Sequence, residues 1–317
     1  MLTISEVKKN YTKKDFIVDN FMKSSGIYCL VARPKVGKSL FGLQLADSIA
    51  NGTTFLGFKT NPSPVLYIST EMSSMQICER IEKMNLNFTD DNFFIEDQAS
   101  KDRKLNHMDL QLVFQDFALN HNGKFIIVDM FTGVDVNNGY DLNNYQDINQ
   151  YVFPKYRELC QKYGFTILLI HHLNKNNTSL GSTAIDGAVD GIITLKKDNN
   201  YPNKLFLKYD SRDYPEMELV LKRNDNLIYE LSELEKEDLP TELKLFLNYS
   251  IRKKEFDFTS SEIVGALGLM IKPSVFGKLL YSNLNVLEKE GLYITDARKS
   301  DKRRKHALYE EPIFENK

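Results

Sequence analysis

Cysteine is scarce: the 317 residues contain three, Cys29, Cys78 and Cys160, far apart from one another. That spacing makes neither a disulfide framework nor a metal-ligand cluster, and a reducing cytoplasm is the expected compartment. No apolar run approaches the ~18 residues that a membrane-spanning helix needs, so an integral membrane protein is excluded. The opening residues are polar, and no secretory leader is expected. Charge of one sign is also lacking. With a net charge of −2, any polyanionic partner must be met by a local patch. Internal repeats and low-complexity segments are not visible. What is present is globular composition, 42% hydrophobic and 26% charged, which excludes a largely disordered or fibrous chain. At roughly 150 residues per domain, the length predicts two domains.

Up to Ser232, short apolar runs alternate with amphipathic stretches. Gly26–Ala32, Val65–Ser69, Phe125–Asp129 and Phe165–Ile170 read as buried strands separated by helices. Strands that are apolar throughout have both faces covered, which predicts an α/β fold with a mainly parallel sheet. Gly191–Leu195, Lys204–Lys208 and Met217–Leu221 follow without long helices between them and are expected to extend the sheet antiparallel. A charged segment closed by Pro240 marks the boundary, giving domains 1–232 and 233–317.

Ala32-Arg33-Pro34-Lys35-Val36-Gly37-Lys38-Ser39 follows the first strand and opens a helix, the setting of the P-loop pattern G-x-x-x-x-G-K-[ST]. In such a loop successive backbone N–H groups curl around phosphates, and the helix N-terminus adds partial positive charge. Lys38 is expected to reach the β- and γ-phosphates of ATP, and Ser39 to ligate Mg²⁺. Arg33, Pro34, Lys35, Val36, Gly37, Lys38, Ser39 and Leu40 make up the expected nucleotide-binding stretch. Ala32 departs from the pattern by replacing its first glycine.

Phe125-Ile126-Ile127-Val128-Asp129 is an apolar strand ending in an acid, the Walker B form. Such a carboxylate projects to the sheet edge where α/β folds bind ligands, and is expected to support Mg²⁺ through water. Glu71 follows the second strand and is positioned to polarise the water attacking the γ-phosphate.

Together with Ile170-His171-His172-Leu173-Asn174-Lys175, these segments resemble the RecA-fold ATPases of the hexameric replicative helicases, most nearly the plasmid- and phage-encoded RepA-type branch, with DnaB-type helicases more distant. The resemblance covers about the first 230 residues. It implies a RecA-like P-loop core, a homo-hexamer, and single-stranded DNA in a central channel. It also implies that His172 senses the γ-phosphate and that Lys175 and Asn176, in the loop Asn174–Ser182, face the DNA. Arg212, with Lys208 as a second candidate, would enter the neighbouring subunit's site as a catalytic arginine. The segment before Gly26 is too short for a primase-binding collar. The implied function is a Mg²⁺- and ATP-dependent replicative DNA helicase of a plasmid, phage or mobile element. The alternatives are an ATP-switched DNA-binding protein or helicase loader and, less favoured, a filament-forming repair ATPase.

The resemblance stops short of the C-terminal module. There, helical patterns over Thr241–Lys254, Thr259–Leu267 and Lys272–Glu290 precede a charged hairpin between Tyr293–Thr295 and Ala307–Tyr309, an arrangement that resembles a winged helix-turn-helix. The module carries 15 Lys and Arg against 15 Asp and Glu, but 298–306 holds six positive charges against one negative. Arg298, Lys299, Lys302, Arg303, Arg304 and Lys305 are therefore expected to touch duplex DNA, unless the module meets a replication protein instead. Tyr281, Leu284 and Leu287 are expected in its core.

Overall fold

The computed structural model describes residues 3–9, 15–101, 105, 107–135, 144–173, 184–198, 200–201, 203–298 and 301–312. They divide into two compact units, residues 1–197 with 203–232, and residues 198–202 with 233–317.

The first unit is built on a nine-stranded sheet. In chain order its elements are β1 (Ile27–Ala32), α1 (Lys38–Asn51), β2 (Val65–Ser69), α2 (Ser74–Met84), β3 (Phe93–Asp97), α3 (His107–Asn120), β4 (Phe125–Asp129), α4 (Phe153–Tyr163), β5 (Thr166–His172), β6 (Gly191–Lys197), β7 (Lys204–Ser211), β8 (Met217–Arg223) and β9 (Tyr229–Ser232). Across the sheet the order is β9-β8-β7-β6-β1-β5-β4-β2-β3. The strands from β6 to β3 run parallel, and β7, β8 and β9 add on antiparallel. β6 thus differs from its expected antiparallel place: it lies parallel to β1, with Tyr28 opposite Gly191 and Ala32 opposite Leu195. The two strands that the hydropathy pattern did not show, β3 and β9, are the sheet's outer edges, where one side of a strand has no neighbour and the apolar signal is weakest.

The period of two in β1 sorts its side chains between two cores. Tyr28, Leu30 and Ala32 join Phe41, Leu45 and Ile49 of α1 on one face, while Ile27, Cys29 and Val31 join Phe114, Phe153 and Tyr156 on the other. The same division holds for Tyr67 against Leu66 and Ile68, and for Ile127 against Ile126 and Val128. With both faces sealed, the polar chemistry is confined to the carboxyl ends of the parallel strands. β1 is followed by α1, yet β2 lies beyond β5 and β4, so a crevice opens at the end of β1.

The second unit holds α5 (Thr241–Lys253), β10 (Glu255–Thr259), α6 (Ser260–Ala266), α7 (Pro273–Ser282), α8 (Leu284–Lys289), β11 (Leu292–Arg298) and β12 (Asp301–Tyr309). Its three strands form an antiparallel sheet in the order β10-β12-β11, packed with the helices around Leu243, Phe246, Phe258, Phe276, Leu280 and Leu287. Three details depart from expectation. The stretch before α6 is a strand, β10, whose Glu-Phe-Asp-Phe-Thr alternation buries Phe258. The third helical pattern breaks at Asn283, which is buried and whose side chain hydrogen-bonds the Leu279 carbonyl at 2.8 Å and the Tyr201 hydroxyl at 2.7 Å; an Asn amide that competes with the helix ladder ends it. Tyr281 is 59% exposed rather than core, with its ring under the Lys305 ammonium. α6 is capped by Thr259 and Glu262, each side chain bonding the other's backbone N–H.

Candidate nucleotide-binding site

β1 ends at Ala32, which pairs with His172 of β5 and Leu195 of β6. Ala32 is an ordinary strand residue, so glycine's conformational freedom is not needed there and alanine fits. The chain then turns through exposed Arg33, Pro34 and Lys35. Val36 is buried and Gly37 adopts φ +113° before α1 begins at Lys38. A side chain at Gly37 is excluded twice: by that φ, and by the Tyr229 hydroxyl, which would lie 2.1 Å from the added Cβ. Leu40, in the first turn of α1, packs its side chain against the core.

The Lys38 side chain is folded inward and only 6% exposed. Its Nζ donates to the Ala32 carbonyl at 3.1 Å and lies 2.9 Å from His172 Nδ1. Burial lowers the Lys38 pKa, against the pull of the Asp129 and Glu71 carboxylates. Burial and the Lys38 charge likewise lower that of His172. A neutral imidazole follows: Nδ1 accepts from the ammonium, which leaves the proton on Nε2, 3.8 Å from Glu71 Oε1. Lys38, His172 and Glu71 thereby form one polar chain across the ends of β1, β5 and the loop after β2. The neighbouring His171 turns to the other face, edge-on to Phe131.

Asp129, at the end of β4, is 2% exposed. Its Oδ2 accepts a hydrogen bond of 2.5 Å from Tyr67 Oη on β2, and the Ser39 side chain lies near the same hydroxyl. Burial and the adjacent carboxylate hold the Tyr67 phenol well above its usual pKa, so it remains a donor. Tyr67 was not foreseen as a site residue; its signal was a hydroxyl on an otherwise apolar strand next to the Walker B strand. Ser39 and Asp129 meet at this hydroxyl. Ser39 and Asp129 offer one hydroxyl and one carboxylate oxygen, a donor set that suits a hydrated Mg²⁺ completed by phosphate oxygens.

Arg212 lies elsewhere. It follows β7, whose Ser211 pairs with Gly191 at the start of β6, so it stands at the edge of the sheet opposite its own P-loop. Its backbone N–H bonds the Asp190 carbonyl at 3.0 Å, and its guanidinium bonds the Gly187 carbonyl. Lys208 pairs with Glu216 at 2.6 Å and Asp210 at 3.4 Å. Lys175, Asn176 and Lys299 lie outside the described residues. Arg298, Lys302 and Arg303 are placed in β11 and β12 by backbone alone. Arg304 and Lys305 are each matched by a carboxylate, Glu262 at 3.4 Å and Asp296.

Residues 2–178 match the family described as AAA domain, more than half of the 317 residues. No curated protein matched the sequence. Among solved structures, a KaiC-like protein from the hyperthermophilic archaeon Pyrococcus horikoshii OT3 superimposes with a TM-score of 0.54. The similarity covers 70% of this chain and 100% of that one at 13% identity, a likeness of fold alone. The match to the AAA-domain family runs through the P-loop, Glu71, Asp129 and His172, on a RecA-like sheet whose switch point holds all four; the chain belongs to that family of P-loop NTPases.

Proposed function

We propose that this NTPase is a DNA motor, a homo-hexameric replicative helicase of a plasmid, phage or mobile element that hydrolyses ATP while moving on single-stranded DNA. The observation that carries the reading is the chain Lys38–His172–Glu71, which links a phosphate-seeking cation, a candidate sensor and a candidate base. When ATP enters, the Lys38 ammonium exchanges its imidazole partner for the β- and γ-phosphate oxygens, and His172 is left to read the γ-phosphate. Glu71, 59% exposed at the mouth, orients a water toward the γ-phosphorus and takes its proton as the bond to the ADP oxygen breaks. Mg²⁺, held by Ser39 and by Asp129 through water, would neutralise charge on the triphosphate. His172 ends β5, three positions before Lys175 in sequence, and would so join phosphate sensing to the segment expected to face DNA. Arg212, away from its own site, would serve a neighbouring subunit's nucleotide. The second unit, read as a winged helix, would meet duplex DNA or a replication protein.

ATP hydrolysis with and without single-stranded DNA, in wild type, Glu71→Ala and Arg212→Ala, with mass in solution, tests the reading. DNA-stimulated turnover, its loss in both variants and a ring-sized mass are expected. Turnover indifferent to DNA, from a monomer or dimer, rejects the motor. That outcome favours an ATP-switched DNA-binding protein or helicase loader.

A further inference from the structure

The P-loop is braced from outside by the last two strands of the large sheet. Gln44 of α1 donates its amide to the Tyr229 carbonyl and accepts from the Tyr229 N–H, both at 2.8 Å. This two-way bond fixes the start of β9 against the helix that follows the P-loop. From there the buried Tyr229 side chain reaches the loop, its hydroxyl 3.1 Å from the Gly37 carbonyl and 3.4 Å from that of Val36. Arg223, the last residue of β8 and the register partner of Tyr229, stands behind it. A Cβ on Gly37 would lie 3.6 Å from Arg223 Nη1. Burial raises the Tyr229 pKa, and the nearby guanidinium opposes that rise.

Peptide geometry gives this contact its meaning. In a trans peptide the C=O and the following N–H point in opposite directions. With the Val36 and Gly37 carbonyls held toward Tyr229, the N–H groups of Gly37 and Lys38 point away from it, toward the concave side of the loop. Those are donors with which a P-loop cradles phosphate. The Arg223 guanidinium, beside the hydroxyl, sets a positive charge against the Tyr229 oxygen, which polarises the hydroxyl and strengthens its own donation to the loop.

We propose that Tyr229 and Arg223 are positioning residues for nucleotide phosphate, acting as a brace through which the β8–β9 hairpin sets the phosphate affinity of the P-loop. This inference rests on reading residues 32–39 as the nucleotide site. Arg223 acts through Tyr229 rather than by touching nucleotide, and the two therefore form one energetic unit.

The test is a double-mutant cycle in the full-length protein, with binding of a fluorescent ADP as the readout. Tyr229→Phe should weaken binding roughly two- to tenfold, the range for one hydrogen bond. Arg223→Ala should weaken it by a smaller factor, and by nothing further when Phe is already at 229. Arg223→Lys, which keeps a cationic donor, should recover most of the loss, and unfolding temperatures without nucleotide should match wild type. Unchanged binding in Tyr229→Phe, or an Arg223→Ala loss that persists in the Phe background, overturns the brace. Should Tyr229→Phe fail to fold, exposed Arg223 decides: a loss with Ala recovered by Lys supports the inference, and none rejects it. Lys38→Ala separates the two levels. If wild type binds no better than Lys38→Ala, the nucleotide-site reading itself fails; if it binds better but the brace variants behave as wild type, only the brace fails.

Discussion

Asp129 is enclosed by apolar strands, and its Oδ2 takes a hydrogen bond from Tyr67, whose hydroxyl lies near Ser39. Removing that donor leaves a buried carboxylate less well satisfied, at a cost of about 1.5–3 kcal/mol for a bond to a charged group. Tyr67→Phe should accordingly lower unfolding free energy by that order in denaturant titration. It should also act selectively on the metal. Fluorescent ADP binding in EDTA should be little changed, while the gain on adding Mg²⁺ shrinks, because Asp129 loses the hydroxyl that orients its carboxylate. Equal loss with and without Mg²⁺ would assign Tyr67 to packing alone. His172 carries the pH dependence of the site. Burial and Lys38 lower its pKa in the folded protein, so the unfolded chain binds the proton more readily. The stability due to neutral His172 is therefore complete above about pH 6.5 and is lost as pH falls through the lower folded value. Wild type should lose unfolding temperature on that descent more steeply than His172→Gln, and parallel curves would refute the neutral acceptor.

At the scale of elements, what could be read in advance follows burial. β1, β2, β4 and β5 are apolar on both faces, and that continuity announced them in the sequence. β9, by contrast, has only Tyr229 buried among its four residues, and β3 only Phe93 of five. An edge strand bonded on one side sends little signal through hydropathy. The site divides in the same manner. Lys38, Ser39 and Asp129 were legible because phosphate chemistry fixes their spacing from a strand end. Tyr67, Gln44, Arg223 and Tyr229 were not: Tyr67 meets Asp129 62 positions on, Gln44 and Tyr229 are 185 positions apart, and Arg223 enters only through Tyr229. The second unit shows the limit of composition as a guide. Its basic run promised an open cationic wing, but cross-strand and helix-borne carboxylates partner Arg304 and Lys305, and His306 lies 2.9 Å from Asp257. Linear charge counts cannot anticipate which acids the fold brings alongside.

At the scale of the whole molecule, the placement of Arg212 sets a geometric requirement. It stands at the sheet edge opposite the P-loop of its own chain, and a guanidinium there can reach a triphosphate only across an interface with another copy. In the proposed ring every subunit's edge would lie against the next subunit's site, so the two halves of each catalytic centre would come from different chains. Mixing inactive variants exposes this directly. Lys38→Ala subunits have no working P-loop but keep Arg212, whereas Arg212→Ala subunits have the reverse defect. In a random equal mixture about a quarter of interfaces pair an intact P-loop with an intact arginine, by the combinatorics of a cyclic assembly. ATP turnover should therefore reappear, up to roughly that fraction of wild type, although each variant alone is inactive. Restored turnover should vanish on dilution below the concentration at which the ring dissociates. A mixture as inactive as its components, at a concentration where the measured mass shows mixed rings, would mean that Arg212 serves its own subunit's fold through Gly187 and Asp190 and that the trans assignment is wrong.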